Sequence, residues 1–117
     1  ALLALGYSDK EAAASLKATS EAGEAAAEAI MTTDTERKEA VVVGSGITVG
    51  GMAKGAAMRS PNMATMLAVL TTDAVVTPEA LQHQLARAMD DSFHRITVDG
   101  CTSTNDTVLI LASGKAG

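Results

Sequence analysis

The spacing of apolar residues shifts along the chain from helical to alternating and back, and each shift marks an element. Between Ser8 and Met31, the residues Ala12, Leu16, Thr19, Gly23, Ala26 and Ile30 fall on one stripe while Lys and Glu occupy mostly the other faces, the signature of an amphipathic helix. Ser8 or Asp9 is placed to cap it, with Glu11 answering from the first turn. The stripe is made of small side chains, so this helix can lie close against a sheet. Thr32-Thr33-Asp34-Thr35 ends it in a polar turn.

From Glu39 to Met58 the texture becomes β-prone. Ala40 to Val43 and Ile47 to Val49 are short valine-rich runs split by Ser45-Gly46, which predicts a hairpin followed by a further strand. Ser60-Pro61-Asn62 is a loop. Met63 to Val76 is too apolar for an edge and reads as a central strand. A second helix follows: Thr77 caps it, Pro78 takes its first position, Glu79 favours its dipole, and Leu81, Leu85, Met89 and Phe93 recur every four residues. Asp106 to Ala112 reads as a last strand. Helix, strands, helix, strand is the order of a layered α/β or α+β arrangement with helices packed on a sheet, of which α/β is the expectation.

Composition narrows the function. The 117 residues suffice for one domain, and the abrupt apolar start at Ala1-Leu2-Leu3 sets the expectation that residues 1–117 are a single partial domain of something larger. Hydrophobic residues make up 47% of the chain, yet much of that is Ala and the aromatics are only Tyr7 and Phe93, so the core is expected to be built from small side chains. A net charge of -5, with nine Lys and Arg that form no run, argues against nucleic acid. No stretch of about 20 apolar residues is present to cross a membrane, and a cytoplasmic protein is the expectation. Cys101 has no second cysteine with which to form an intrachain disulfide or a zinc cluster; it reads as a small buried thiol.

Several motifs carry less than they first offer. Gly44-Ser45-Gly46 is followed by Val49 where a dinucleotide loop has Gly, and Lys54 by Gly55 where a phosphate loop has Ser or Thr; these glycines serve turns or close backbone packing. His83 and His94 are eleven positions apart, which does not place two metal ligands on one helix face. Glu21, Glu24 and Glu28 are spaced to pair carboxylates, but such a run ordinarily forms a solvated face. Asn105-Asp106-Thr107 matches a glycosylation sequon and reads as a turn entering a strand. Thr65 differs from these, because it follows a Pro-Asn loop at the mouth of an apolar strand, with Lys54 upstream beside glycines that let a ligand approach the backbone.

Lys54-Gly55-Ala56-Ala57-Met58-Arg59-Ser60-Pro61-Asn62-Met63-Ala64-Thr65-Met66-Leu67, followed by Leu70-Thr71-Thr72-Asp73-Ala74, resembles the signature of the ornithine/glutamate N-acetyltransferase family of arginine biosynthesis. Ile30-Met31-Thr32-Thr33-Asp34-Thr35 upstream, and Val98-Asp99-Gly100 with Thr102-Ser103-Thr104-Asn105-Asp106-Thr107 downstream, are similar to family segments in the same order. The resemblance spans Ala29 to Gly114 and implies the α/β fold that the family shares with self-processing aminopeptidases.

That resemblance also implies self-cleavage between Ala64 and Thr65, leaving residues 1–64 as the end of an N-terminal chain and 65–117 as the start of a C-terminal chain. Thr65, freed with its own α-amino group, would be the nucleophile, passing acetyl from N-acetylornithine to glutamate. Lys54 corresponds to a substrate-binding lysine suited to a carboxylate. Thr32 corresponds to a second substrate contact, its alternative being a helix-end hydrogen-bonding residue. No cofactor is implied beyond acetyl-CoA as another acetyl donor, and the implied partners are the small substrates, the two cleaved chains with each other, and oligomers of such pairs. Ala57 stands where the family has Gly, Arg59 where an apolar residue is common, and Cys101 where an acid is usual. The Thr-Gly pair of the family's oxyanion hole is not found upstream, and its remaining pocket residues would fall beyond Gly117. Two alternatives stay open: an amidohydrolase that delivers the acyl group to water, and a binding fragment without chemistry.

Overall fold

The valine-rich runs pair as the hairpin their Ser-Gly punctuation predicts. In the computed structural model, which describes residues 20–55, 66–96 and 106–116, strand β1 (Lys38–Gly44) runs antiparallel to β2 (Ile47–Lys54), and the Gly44–Ile47 pairing leaves Ser45 and Gly46 as a two-residue loop. Both loop residues have positive φ, 53° and 75°, as a type I′ turn demands of its two central residues. β2 runs farther than its apolar run Ile47–Val49 alone predicts. It passes through Gly50 and Gly51 to Lys54, and a Cβ on Gly51 would stand 2.4 Å from Cδ2 of Leu70 on the neighbouring strand. This glycine is therefore a close-packing position inside a strand.

β3 (Leu67–Thr72) pairs antiparallel with β2 on one side and parallel with β4 (Thr107–Ala112) on the other, giving the order β1-β2-β3-β4. It is central, as its apolarity predicts, but shorter. The strand stops at Thr72, and Val75 is two-thirds exposed beyond it. Its end is set by polar groups: Asp73 N–H donates to the Thr48 carbonyl at 3.3 Å, and an Asp73 carboxylate oxygen accepts the Thr48 N–H at 2.7 Å.

Parallel neighbours need a crossover, and the second predicted helix lies in it. Helix α2 (Pro78–Asp91) starts as expected, with extended Thr77 accepting the Ala80 N–H on Oγ1 at 3.3 Å and Pro78 at the first position. Leu81, Leu85 and Met89 are half-buried along an otherwise exposed helix; Phe93 continues the stripe from a short 3₁₀ turn, Phe93–Arg95, rather than from the helix itself. Ser92 breaks the helix, its N–H donating to the Met89 carbonyl and its hydroxyl to that of Ala88.

Helix α1 (Ser20–Ala29) packs against β1 and β2 and ends at Ala29, two residues short of the Met31 that the sequence predicts. The proposed start near Ser8 lies outside the described residues. Among the described residues the only fully buried apolar side chains are Ala27 and Ala68, in keeping with a core of small residues. Val41, Val42 and Val43 are 67 to 74% exposed on the outer strand. Among the described residues, a mixed four-stranded sheet with two α-helices is consistent with an α/β arrangement.

Candidate functional site

Lys54 ends β2 opposite Leu67 of the central strand. Strand alternation puts it on the same sheet face as Val41, Met52, Val69 and Leu109. It is half-buried, and its ammonium makes no ion pair with another described residue. A free cation at a strand end is suited to an incoming carboxylate.

The next residue ties this end of β2 to the turn after α1. Gly55 N–H donates to the Asp34 carboxylate at 2.9 Å, Thr32 N–H reaches its other oxygen at 3.4 Å, and the Lys38 ammonium pairs with it as well. The Asp34 side chain is wholly buried. The hydrogen bond from Lys38 outweighs the desolvation that burial imposes, and with the two backbone donors it holds the carboxyl down at about 2. Thr32 is exposed, and its backbone N–H rather than its side chain supplies the contact seen here. The Asp34 carboxylate thus joins the backbone of Thr32 to that of Gly55, the residue after Lys54, while the Lys54 ammonium makes no ion pair with it.

Ala64 and Thr65 lie outside the described residues, as do Ala57, Arg59 and Cys101. Description resumes at Met66, whose N–H donates to an Asp106 carboxylate oxygen at 3.0 Å and whose carbonyl accepts the Thr107 N–H at 2.9 Å. The start of β3 is therefore fastened on both backbone groups to the start of β4. Asp34 and Asp106 stand within the segments that resemble the family, where neither residue type nor spacing marks them as site residues. What could have pointed to them is only their place beside the turn and strand ends.

A cavity of about 410 Å³ opens on the other face of the sheet, lined by Ala40, Val42, Val49, Ala53, Leu70 and Phe93 among others, with Lys38 at its border. Lys54 is not among its lining residues. The remaining titratable candidates are surface groups: His83 is exposed, His94 meets Asp90 at 3.0 Å in solvent, and Glu24 pairs with Arg37 at 3.4 Å. No described helix is long and apolar enough to cross a membrane.

Residues 6–117 match the ArgJ family. The chain belongs to that family. Among curated relatives, the arginine biosynthesis bifunctional protein ArgJ of Bifidobacterium longum is 57% identical over 109 residues, covering 92% of this chain and 28% of that protein. The ArgJ of Thermobifida fusca is 56% identical over 105 residues, covering 90% of this chain and 27% of its own length. That of Mycobacterium leprae is 59% identical over 96 residues, covering 81% and 24%. The chain thus spans about a quarter of the length of these ArgJ relatives. The ArgJ match takes in Thr32, Lys54, Ala64 and Thr65 together, so the segment that resembles the family signature lies inside the region the family covers.

Proposed function

We propose that this segment belongs to an arginine-biosynthetic acetyltransferase that moves the acetyl group of N-acetylornithine to glutamate, with Thr65 as its nucleophile. The observation that carries the reading is the ammonium of Lys54, without an ion pair among the described residues, opposite Leu67 at the end of the sheet where Met66, the residue after Thr65, is held by Asp106. The names of the relatives support the pathway.

In this reading the Thr65 hydroxyl attacks the Ala64 carbonyl, the Ala64–Thr65 amide breaks in an N-to-O shift, and water hydrolyses the resulting ester. The freed α-amino group titrates near about 8 in peptides, so part of it is neutral at pH 7 and takes the hydroxyl proton when Thr65 attacks the acetyl carbonyl. Ornithine leaves carrying a proton, and the amine of glutamate attacks the acetyl-threonine ester. Lys54 pairs with the carboxylate that both amino acids carry, and Thr32 is the second contact. Acetyl-CoA is the alternative donor. The working unit is a pair of cleaved chains, assembled into larger oligomers in the cytoplasm, with the fold shared by self-processing aminopeptidases.

The test is the intact mass of the full-length protein beside its Thr65→Ala variant, followed by incubation with N-acetylornithine and glutamate. Two fragments meeting at Ala64 and Thr65, one unbroken chain in the variant, and formation of N-acetylglutamate are expected. Release of acetate without N-acetylglutamate would replace the transferase with an amidohydrolase. An unbroken parent chain that still binds ornithine would leave a binding protein.

A further inference from the structure

Lys54 faces an electrostatic hazard. The buried Asp34 carboxylate accepts the amide of the very next residue, Gly55, at 2.9 Å. A free carboxylate so close would attract the Lys54 ammonium and compete with any carboxylate arriving from solution. The two nevertheless make no ion pair. Lys38, four residues from Asp34, takes that place instead.

We infer that Asp34 and Lys38 together are positioning residues for Lys54: Asp34 fixes the Lys54–Gly55 peptide, and Lys38 neutralises Asp34 so that the Lys54 ammonium stays open to a carboxylate ligand. The inference deepens the reading above and rests on its assignment of Lys54 to the substrate carboxylate. The geometry supports it at each link. Asp34 has no exposed side-chain surface, so its charge is answered by protein donors. Its two oxygens are shared among Lys38, Gly55 N–H and Thr32 N–H, which uses the strongest donors within reach. Lys38 sits on β1 opposite Ala53, one ladder position from Lys54, and by alternation the two lysines leave the sheet on opposite faces. Asp34 is thus supplied with a cation from one face while the cation of the other has no ion pair among the described residues.

The consequence is a sign reversal between single and double variants. In the full-length protein, Lys38→Met leaves Asp34 charged without its cation, Lys54 turns toward it, and KM for the amino acid substrate rises about tenfold while kcat stays within about threefold. Adding Asp34→Asn to Lys38→Met removes the competing charge but keeps an oxygen for Gly55 N–H, so KM falls back by at least about threefold. A role confined to folding has no reason to produce that recovery; it makes the double variant no better than Lys38→Met alone. Thermal midpoints of all three proteins and their self-cleavage, read by intact mass, accompany the kinetics. An unchanged KM in Lys38→Met, or a double variant that binds no better, overturns the inference. Should the double variant fail to fold, Lys38→Met against Lys38→Arg decides: arginine keeps the cation and is expected to hold KM near the parent's. Lys54→Met separates this inference from the reading beneath it. If that variant leaves KM unchanged, the assignment of Lys54 itself fails and the inference falls with it; if KM rises in Lys54→Met but not in Lys38→Met, only the inference fails.

Discussion

Replacing Asp34 by Asn removes a buried charge whose contribution to stability depends on pH in a calculable way. The group ordinarily titrates at 3.8 and is held at about 2 in the folded protein. A lowered carboxyl pKa stabilises the fold above the unfolded value and loses that contribution as pH falls through the folded one. The full shift is equivalent to about 2.4 kcal/mol by linkage. Half of the Lys38 side chain is exposed, so solvent screening reduces this to about 1 to 2 kcal/mol. At pH 7 the contribution is complete; by pH 3 about half is gone, and at pH 2 little remains. Urea unfolding of the full-length parent and of Asp34→Asn, at pH 7, 5 and 3, reads the difference directly. The variant is expected to be less stable by about 1 to 2 kcal/mol at pH 7 and 5 and by about half as much at pH 3. A gap of constant size across that range would mean that the amide replaces the carboxylate by shape alone, and the account of Asp34 as a charge held by Lys38 would be wrong.

Three further substitutions follow from local geometry, each measured as a change in thermal or denaturant midpoint of the full-length protein. Gly46→Ala forces a Cβ onto a residue at φ 75° with nothing within 4 Å of the new atom, so the cost is backbone strain alone, about 1 kcal/mol; Gly44→Ala, with the same open space and no positive φ, is expected to cost nothing measurable. Asp73→Ala strips the acceptor from the half-buried Thr48 N–H and is expected to cost about 1 to 3 kcal/mol, with Asp73→Asn recovering part. Thr77→Ala removes the cap of α2 for about 1 kcal/mol, and Thr77→Ser restores it.

What the sequence revealed and what it hid divide by distance along the chain. The hairpin turn and the start of α2 are local: Ser45-Gly46 and Thr77-Pro78 each carry their backbone geometry in adjacent residues. The length of β2 is not local, because Gly50 and Gly51 look like breakers until Leu70 is known to pack over Gly51 and Thr71 and Val41 beside Gly50. Val75 and Val76 belonged to the apolar run, yet β3 ends before them because Asp73 closes on Thr48, 25 residues away. Phe93 kept the helical spacing without being in the helix, since Ser92 turns the backbone while the stripe continues. Of the candidate site, the resemblance to the family's segments is what singled out Lys54 and Thr32. The carboxylates that hold their neighbourhood were hidden: Asp34 meets Gly55 across 21 residues and Asp106 meets Met66 across 40, and such pairings exist only once the strand register does.

Those three aspartates share one task. A strand end leaves backbone N–H groups without a ladder partner, and burying one unsatisfied is costly. Asp34 takes the amide just past the end of β2, Asp73 the amide near its beginning, and Asp106 the amide just before β3. All three lie in the segments that carry the family resemblance, which is a reason for acids to stand there without any of them performing acid–base chemistry. For Asp34 the point is quantitative. A carboxyl held at about 2 keeps about one proton per 100,000 molecules at pH 7 and is far too weak a base to take a proton from a hydroxyl. Within the proposed mechanism the described residues at this end of the sheet offer a fixed anion, a neutralising lysine and an ammonium that orient a substrate, and Asp34 is not the base that deprotonates Thr65. The base must then come from elsewhere, and an α-amino group released on the nucleophile itself meets that need without requiring another side chain from the sheet.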